Sequence, residues 1–179
     1  MHTTATIDDL YSIKGKAELV HGEIVYMSPT GGVPGRAGLE IAMSLRMYER
    51  LYGGGYAFPD NVGFLVNLPH RESFSPDAAW YTGALRGGAF LQGAPIFAVE
   101  VRSEHDYGAT AEQEMAAKRA DYFACGTQVV WDVDVLREHC IRVYRVTAPL
   151  QPTIYLRGDS AEAEPAVPGW RMAVEELFQ

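Results

Sequence analysis

The stretch from Ile96 to Val101 constrains the fold more than any other part of the sequence. Its first four residues, Ile96 to Val99, are all apolar. A continuous apolar run of this length is typical of a strand that is covered on both faces. Such a strand lies inside a layered domain, so the chain is predicted to build its core around residues 96–101.

Two helices and several shorter strands accompany this central strand. Apolar residues recur every three or four positions from Arg36 to Tyr52, which predicts a helix that ends at Gly53-Gly54-Gly55. A second helix is predicted from Thr110 to Cys125. Further strands are predicted within 17–27 and at 56–58, 62–68, 77–81, 128–133 and 140–146, with residues 170–177 closing the core. This order indicates one α/β domain over residues 1–179, with a central mixed sheet flanked by helices.

The formal net charge of −8 limits the classes of partner. A protein that binds nucleic acid without sequence preference usually presents a basic face, so the acidic balance argues against a broad phosphate-binding surface. No apolar run reaches the roughly 18 residues of a membrane span, and no secretory signal is recognisable at the N-terminus. Cys125 and Cys140 lack metal-ligand spacing and are expected to be reduced thiols of a cytoplasmic protein.

Glu100 is the most informative residue, because it follows the apolar part of the central strand directly. An ionised carboxylate that is buried without a partner costs on the order of several kcal/mol. The side chain therefore needs a cation, hydrogen-bond donors or a raised pKa. The structural alternative is an ion pair with Arg102 or Arg119. We favour a functional site, because ligands bind near the carboxyl ends of strands in open α/β sheets.

Asp77 opens a predicted strand beside that of Glu100 and supplies a second carboxylate. Neighbouring strands lie about 4.8 Å apart, so the two side chains can share one hard cation. Mg²⁺ binds proteins through one or two carboxylates, while water and substrate phosphate complete its shell. The pair therefore predicts a Mg²⁺ site, in which Mn²⁺ can substitute. The alternative is a plain turn, because aspartate is common in turns such as the one after Pro76.

Lys118 breaks the pattern of its helix. It occupies the same face as the residues expected to be buried, which are Ala111, Met115, Tyr122 and Cys125. A lysine on a buried face indicates that its ammonium meets an acid. The alternatives are a surface pair with Glu114 one turn earlier, which is worth only a few tenths of a kcal/mol, or a stem that carries the ammonium out to solvent.

Glu18 and Glu23 flank a predicted turn at His21-Gly22. Either carboxylate could contact a bound cation as an outer ligand, and Glu18 is the preferred candidate. The alternative is a solvated residue of the hairpin. Zinc and serine-nucleophile chemistry are not supported, because the histidines lack ligand spacing and no GxSxG motif occurs.

Five short segments also stand in a distinctive order. They are Glu18 to Glu23, Met27 to Gly32, Ser75-Pro76-Asp77, Val99-Glu100-Val101, and Lys118 through Tyr122 to Gly126. Together they resemble the bacterial putative restriction endonuclease family of the PD-(D/E)XK nuclease superfamily. The resemblance covers roughly residues 5–146 and implies a restriction-endonuclease-like fold, with a central sheet between helices.

The resemblance also implies roles for the candidate residues. Asp77 and Glu100 would hold Mg²⁺ together with the backbone carbonyl of Val101. Lys118 would orient the attacking water or stabilise the charge of the phosphorane. Glu18 would add an acidic contact.

One position departs from the superfamily pattern. The usual lysine lies two residues after the second acid, where this chain has Arg102. Arginine stays protonated at working pH, so it can stabilise charge but cannot act as a base. In the resembling family the lysine has moved to the following helix, and Lys118 matches that position.

The predicted function is that of a Mg²⁺-dependent endonuclease that hydrolyses phosphodiester bonds of DNA. Two alternatives stay open. One is a catalytically silent nuclease fold that binds a partner or regulates, which the acidic balance favours. The other is a hydrolase of small phosphoesters. A homodimer is expected if both DNA strands are cut, because double-strand cutting needs two sites.

Overall fold

A computed structural model describes residues 4–179 of the protein. The helices of these residues are α1 (Ile7–Tyr11), α2 (Gly32–Tyr52), α3 (Ala109–Ala124) and a 3-10 helix at Val174–Phe178. The strands are β1 (Ala17–Val20), β2 (Glu23–Tyr26), β3 (Tyr56–Pro59), β4 (Phe64–Leu68), β5 (Arg71–Phe74), β6 (Ala78–Tyr81), β7 (Leu91–Gln92), β8 (Phe97–Val101), β9 (Val129–Asp134), β10 (Cys140–Arg145), β11 (Ala148–Leu156), β12 (Ser160–Glu162) and β13 (Arg171–Ala173).

The main sheet has six strands in the order β11-β10-β9-β8-β6-β3. Strands β8 and β9 run parallel, and the other neighbours run antiparallel. The parallel pair is joined by α3, as a parallel connection requires a crossover. The predicted α/β fold with a central mixed sheet is therefore confirmed, and the apolar strand β8 lies at its centre.

The side chains of β8 alternate between two cores. Phe97 and Val99 point into the larger core, where they meet α2 residues such as Ile41 and Leu45. Ala98 points into the smaller core, which includes Tyr122 of α3. Successive strand residues face opposite sides of a sheet. Glu100 therefore lies on the same side as Ala98 and faces α3.

A second sheet, with the order β2-β1-β5-β4-β7, covers the smaller core. It includes the hairpin whose turn was predicted at His21-Gly22. Phe64 and Phe74 of this sheet are fully buried against that core. The sheet brings β1 and β5 to the side of β8 that carries Glu100, which becomes important for the site.

The C-terminal segment closes the larger core, as predicted. Trp170, Met172, Val174 and Leu177 are all buried. The Trp170 ring lies 5.7 Å from the ring of Phe97 and 5.1 Å from that of Trp131. Its indole Nε1 donates a hydrogen bond to Ser44 Oγ on α2 at 3.1 Å, so the segment links α2 to the main sheet.

Four strands, β5, β7, β11 and β12, were not predicted, and for three of them the physical reason is clear. The residues of β5 (Arg-Glu-Ser-Phe) and the two residues of β7 lack an apolar period. Strand β11 contains Pro149 and Pro152, which argue against a strand in the middle of a sheet. The structure places β11 at the edge of the main sheet, where proline is tolerated because one side of the strand has no partner.

Within residues 4–179, no helix combines the length and the apolar character that a membrane-spanning helix requires.

Candidate active site at the end of strand β8

The two predicted carboxylates come together because β6 and β8 are antiparallel neighbours. Ala78 pairs with Val99, so the start of β6 lies beside the end of β8. The backbone N–H of Asp77 donates to the carbonyl of Val99 at 2.9 Å. The backbone N–H of Val101 in turn donates to Asp77 Oδ2 at 2.7 Å. Asp77 is thereby fixed next to the strand that carries Glu100.

Helix α3 supplies two groups to Glu100. The ammonium of Lys118 lies 2.9 Å from Glu100 Oε1 and 3.0 Å from Oε2. The hydroxyl of Tyr122, one turn further on, donates to Glu100 Oε1 at 2.6 Å. The predicted inward orientation of Lys118 is confirmed, since its ammonium contacts Glu100 and Glu18 rather than Glu114.

Glu18 belongs to the same cluster, on strand β1 of the second sheet. Its Oε1 lies 2.9 Å from the Lys118 ammonium and accepts the backbone N–H of Ser75 at 2.8 Å. Its Oε2 lies 2.6 Å from Nη1 of Arg71. The side chain is only 4% exposed, so the alternative of a solvated hairpin residue is wrong for Glu18, whereas Glu23 is exposed.

Lys16 and Arg71 complete the cluster, and neither was predicted. The Lys16 ammonium lies 2.8 Å from Asp77 Oδ1 and 2.6 Å from Asp60 Oδ1. Arg71 bridges Glu18 to Asp121, its Nε lying 2.8 Å from Asp121 Oδ2. Lys16 precedes a strand and Arg71 lies in an unpredicted one, so no local pattern identifies either residue.

We call the three carboxylates of Glu18, Asp77 and Glu100 the acidic site. Burial raises the pKa of Glu100, and although Lys118 opposes this shift, the nearby carboxylates of Asp77 and Glu18 reinforce it. For Glu18, burial acts in the same direction, but Lys118 and Arg71 outweigh it and lower the pKa. Of Glu18 and Glu100, the charge of Glu100 is thus the less fully compensated.

Lys118 stays protonated in this environment. Burial alone would lower its pKa, but the facing carboxylates of Glu100 and Glu18 raise it above the ordinary value. The hydroxyl of Tyr122 also keeps its proton, because burial and the Glu100 carboxylate raise its pKa well above the usual range. Both groups therefore act as hydrogen-bond donors toward the acidic site.

The donor set suits a divalent cation that keeps most of its own water. Within residues 4–179, no three His, Cys, Asp or Glu side chains are arranged to hold a metal ion by themselves. Mg²⁺ does not require three, because it binds through one or two carboxylates and retains several waters. Asp77 and Glu100 provide such a pair. The predicted carbonyl ligand of Val101 stays a prediction, since the contact seen at Val101 is made by its N–H.

Arg102 lies outside the acidic site. Its guanidinium donates to both carboxylate oxygens of Asp132, each at 2.7 Å, and also pairs with Glu112 on α3. It does not pair with Glu100, and Arg119 instead lies over the ring of Tyr144. The ion pair of Glu100 with either arginine, considered as an alternative from the sequence, is therefore wrong.

Comparisons with known proteins agree with this architecture. A search of curated proteins finds no match. A crystal structure of "a putative nuclease belonging to DUF820" from Anabaena variabilis ATCC 29413 is similar, with a TM-score of 0.75, 17% sequence identity and 97% of each chain covered. At that identity the likeness shows the fold. The Uma2 family, described as "Putative restriction endonuclease", matches residues 7–175. The chain belongs to this family, as the resemblance of its sequence segments predicted.

Proposed function

We propose that the protein is a metal-dependent nuclease that hydrolyses phosphodiester bonds of DNA at the acidic site. The observation that carries the proposal is the meeting of Glu100 and Lys118. A carboxylate at the end of a central strand lies beside a second carboxylate, Asp77, and contacts a buried lysine from the following helix. Membership of a family described as restriction endonucleases supports the same reaction.

Asp77 and Glu100 would hold the metal, with the carbonyl of Val101 as a further candidate ligand. A bound Mg²⁺ supplies an activated water and neutralises charge on the phosphoryl oxygens. Each carboxylate keeps lone pairs free beside the hydrogen bonds it accepts, because an ionised carboxylate offers about four acceptor positions. Both side chains can therefore bind a cation without losing the contacts that fix them.

Lys118 would stabilise the charge that develops on the phosphorane. Its raised pKa keeps the ammonium protonated at working pH, so it can donate hydrogen bonds to a phosphate oxygen or orient the water but cannot take a proton. The side chain is 19% exposed, which leaves part of it accessible to a substrate. Glu18 and Tyr122 would hold Lys118 and Glu100 in place.

Plasmid nicking in Mg²⁺ or Mn²⁺ tests the proposal. Asp77→Asn and Glu100→Gln keep the size of each side chain but remove the charge, and we expect each to reduce the rate at least about 100-fold. Glu104→Gln is the matched control, because Glu104 is an exposed acid on the loop after β8. Equal nicking by all four proteins would contradict the assignment of the site.

Titration calorimetry with Mn²⁺ gives an independent measurement that does not require activity. We expect binding by the wild type and by Glu104→Gln, and its loss in Asp77→Asn. A panel of duplex DNA, RNA and a nitrophenyl phosphodiester then separates a DNA nuclease from a hydrolase of small phosphoesters.

One observation favours a second function, a catalytically silent nuclease fold that binds a partner. Lys16 lies between Asp77 and Asp60 and already neutralises part of the acidic site. If Lys16 substitutes for the metal, the wild type does not bind Mn²⁺, whereas Lys16→Met gains binding. If the acidic site binds a metal, the wild type already binds Mn²⁺, and Lys16→Met only changes the affinity for it.

A further inference from the structure

A cavity of about 300 Å³ lies beside strand β1, which carries Glu18, although none of the three carboxylates of the acidic site lines it. It is bordered by the segment between α1 and β1, by the loop before β4 and by the loop before β7. Two of its lining residues connect it to the site. Ser75 holds Glu18 through its backbone N–H, and Ala17 begins β1, directly before Glu18. A molecule in the cavity would therefore lie close to the strand that carries Glu18 and to the Ser75 N–H that holds its carboxylate.

Two stacked aromatic rings form one wall of the cavity. The rings of Tyr11 and Phe90 lie 4.1 Å apart and are inclined by only 9°. The Tyr11 hydroxyl also accepts the backbone N–H of Phe90 at 2.9 Å. Gly63 allows this arrangement, because a Cβ at that position would lie 2.8 Å from the Phe90 ring. Tyr11 is 45% exposed, so a further planar ring can reach the pair.

A hydroxyl group also lines the cavity. Ser75 as a whole is 3% exposed, and none of the hydrogen bonds among residues 4–179 involves its hydroxyl. Among these residues the buried side-chain atoms without a hydrogen-bond partner belong to Asp134 and Arg142, so the Ser75 hydroxyl is accessible from the cavity. A hydroxyl that is open on a cavity wall can donate a hydrogen bond to a bound ligand or accept one from it. The ligand is thus expected to combine a flat apolar face with hydrogen-bonding atoms, which is the character of a nucleobase.

Two cations flank the cavity in the same segments that line it. Lys14 lies between the lining residues Ile13 and Gly15, and Arg86 lies two residues before Gly88. Both side chains are exposed, and neither takes part in a salt bridge within the described chain. Most other basic side chains here are already paired with acids. These two are available for the phosphates of a bound strand.

We propose that this cavity binds one unpaired nucleotide next to the scissile phosphate, with its base stacked on Tyr11 and hydrogen-bonded by Ser75. The inference rests on the proposed nuclease function, and it names single-stranded or locally unpaired nucleic acid as the substrate class. The inference also accounts for the formal net charge of −8. Stacking does not depend on the sign of the surface charge, whereas binding to duplex phosphates does.

Fluorescence anisotropy with a short labelled single strand in EDTA tests the inference, because no metal is present to cut the strand. The wild type should bind the single strand more tightly than a duplex of the same sequence. Tyr11→Ala should weaken binding about 5- to 100-fold, as expected for the loss of one base stack. Tyr11→Phe, which keeps the ring, and Tyr52→Ala, which removes an exposed ring on α2, should bind like the wild type.

Two further measurements separate stacking from charge. A strand with abasic nucleotides should bind about as weakly to the wild type as the normal strand binds to Tyr11→Ala. The double variant Lys14→Ala/Arg86→Ala should lower the slope of log affinity against log salt by about 1.4, the value for two phosphate contacts on a single strand. Circular dichroism confirms that the variants are folded.

The inference is overturned if the wild type binds no single strand, if the abasic strand binds as tightly as the normal one, or if folded Tyr11→Ala binds like the wild type. These outcomes differ from a failure of the nuclease assignment. If the wild type nicks duplex plasmid and Tyr11→Ala nicks it at the same rate, the nuclease assignment stands and the proposed role of the cavity is wrong. If the wild type binds single strands through Tyr11 but cuts no substrate, the proposed role of the cavity stands and the nuclease assignment is wrong.

Discussion

Helix α3 contacts the main sheet through two groups of ions that differ in how completely they are neutralised. At the acidic site, Lys118 meets Glu100 and Glu18, with the Lys118 side chain 19% and the Glu100 side chain 24% exposed. Near the start of α3, Arg102 and Asp132 form a bidentate pair in which both side chains are only 3% exposed. We call this second group, with Glu112, the Arg102 cluster.

The difference is the one expected between a structural role and the functional role proposed for the acidic site. Arg102 uses its Nε and Nη2 on Asp132 and its Nη1 and Nη2 on Glu112, so little of its donor capacity is left for a substrate. Glu100, by contrast, has a raised pKa, and its side chain is 24% exposed. Arg102 stands where the superfamily pattern that the sequence resembles has its lysine. In this protein it attaches the start of α3 to the main sheet. The helix in turn carries the lysine that faces the carboxylates.

The largest expected effect is on stability at the Arg102 cluster. Arg102→Met leaves Asp132 buried without its main partner, which should lower the free energy of unfolding by about 3–5 kcal/mol. Urea denaturation followed by circular dichroism measures the change. The double variant Arg102→Met/Asp132→Val should recover most of the loss, since an apolar pair can replace a buried ion pair. A double variant as unstable as the single one would show that the cluster contributes more than mutual neutralisation.

A slightly smaller effect, on activity instead of stability, is expected at the acidic site. Lys118→Met keeps the aliphatic stem but removes the ammonium, so the nicking rate should fall about 100- to 1,000-fold, or about 3–4 kcal/mol. Stability should change less than in Arg102→Met, because Glu18 retains Arg71 and the Ser75 N–H. If Lys118→Met unfolds the protein as readily as Arg102→Met does, the distinction between the two groups of ions fails.

The smallest effect concerns the exposed member of the Arg102 cluster. The hydrogen bond from Arg102 lowers the pKa of Glu112 below its ordinary value of 4.5. A carboxylate whose pKa is lower in the folded state stabilises the protein above the unfolded pKa, and that contribution is lost as pH falls through the folded one. Glu112 is 53% exposed, so its contribution is at most about 1 kcal/mol.

Glu112→Gln should therefore flatten the decline in stability below about pH 4.5. Comparison of urea midpoints at neutral pH and at acidic pH measures this difference. Glu114→Gln on the same helix serves as the control, because Glu114 is exposed and lies outside the Arg102 cluster. A steeper decline in Glu112→Gln than in the wild type would mean that the sign of the argument is wrong.

The sequence predicted the parts of the site that depend on local patterns. The apolar run before Glu100 predicted a central strand, and the helical period placed Lys118 on the inner face of α3. It did not predict Lys16 or Arg71, which enter the site through pairing between distant segments. Arg71 contacts Glu18 across 53 positions of the chain. Such a contact depends on the order of strands in the second sheet, for which the residues of β5 carry no signal.

The C-terminal segment has a consequence for how the protein is made. Trp170 packs against Phe97, on the face of β8 opposite to Glu100, and so helps to hold the strand that carries the carboxylate. During synthesis, residues 16–122, which contribute the charged groups of the acidic site, leave the ribosome well before Trp170 does. Domains generally fold as units, so the core should not be complete until Trp170 has emerged. A nascent chain would then carry all of these charged residues before it could hold them in position, and the proposed activity would begin only with the finished fold.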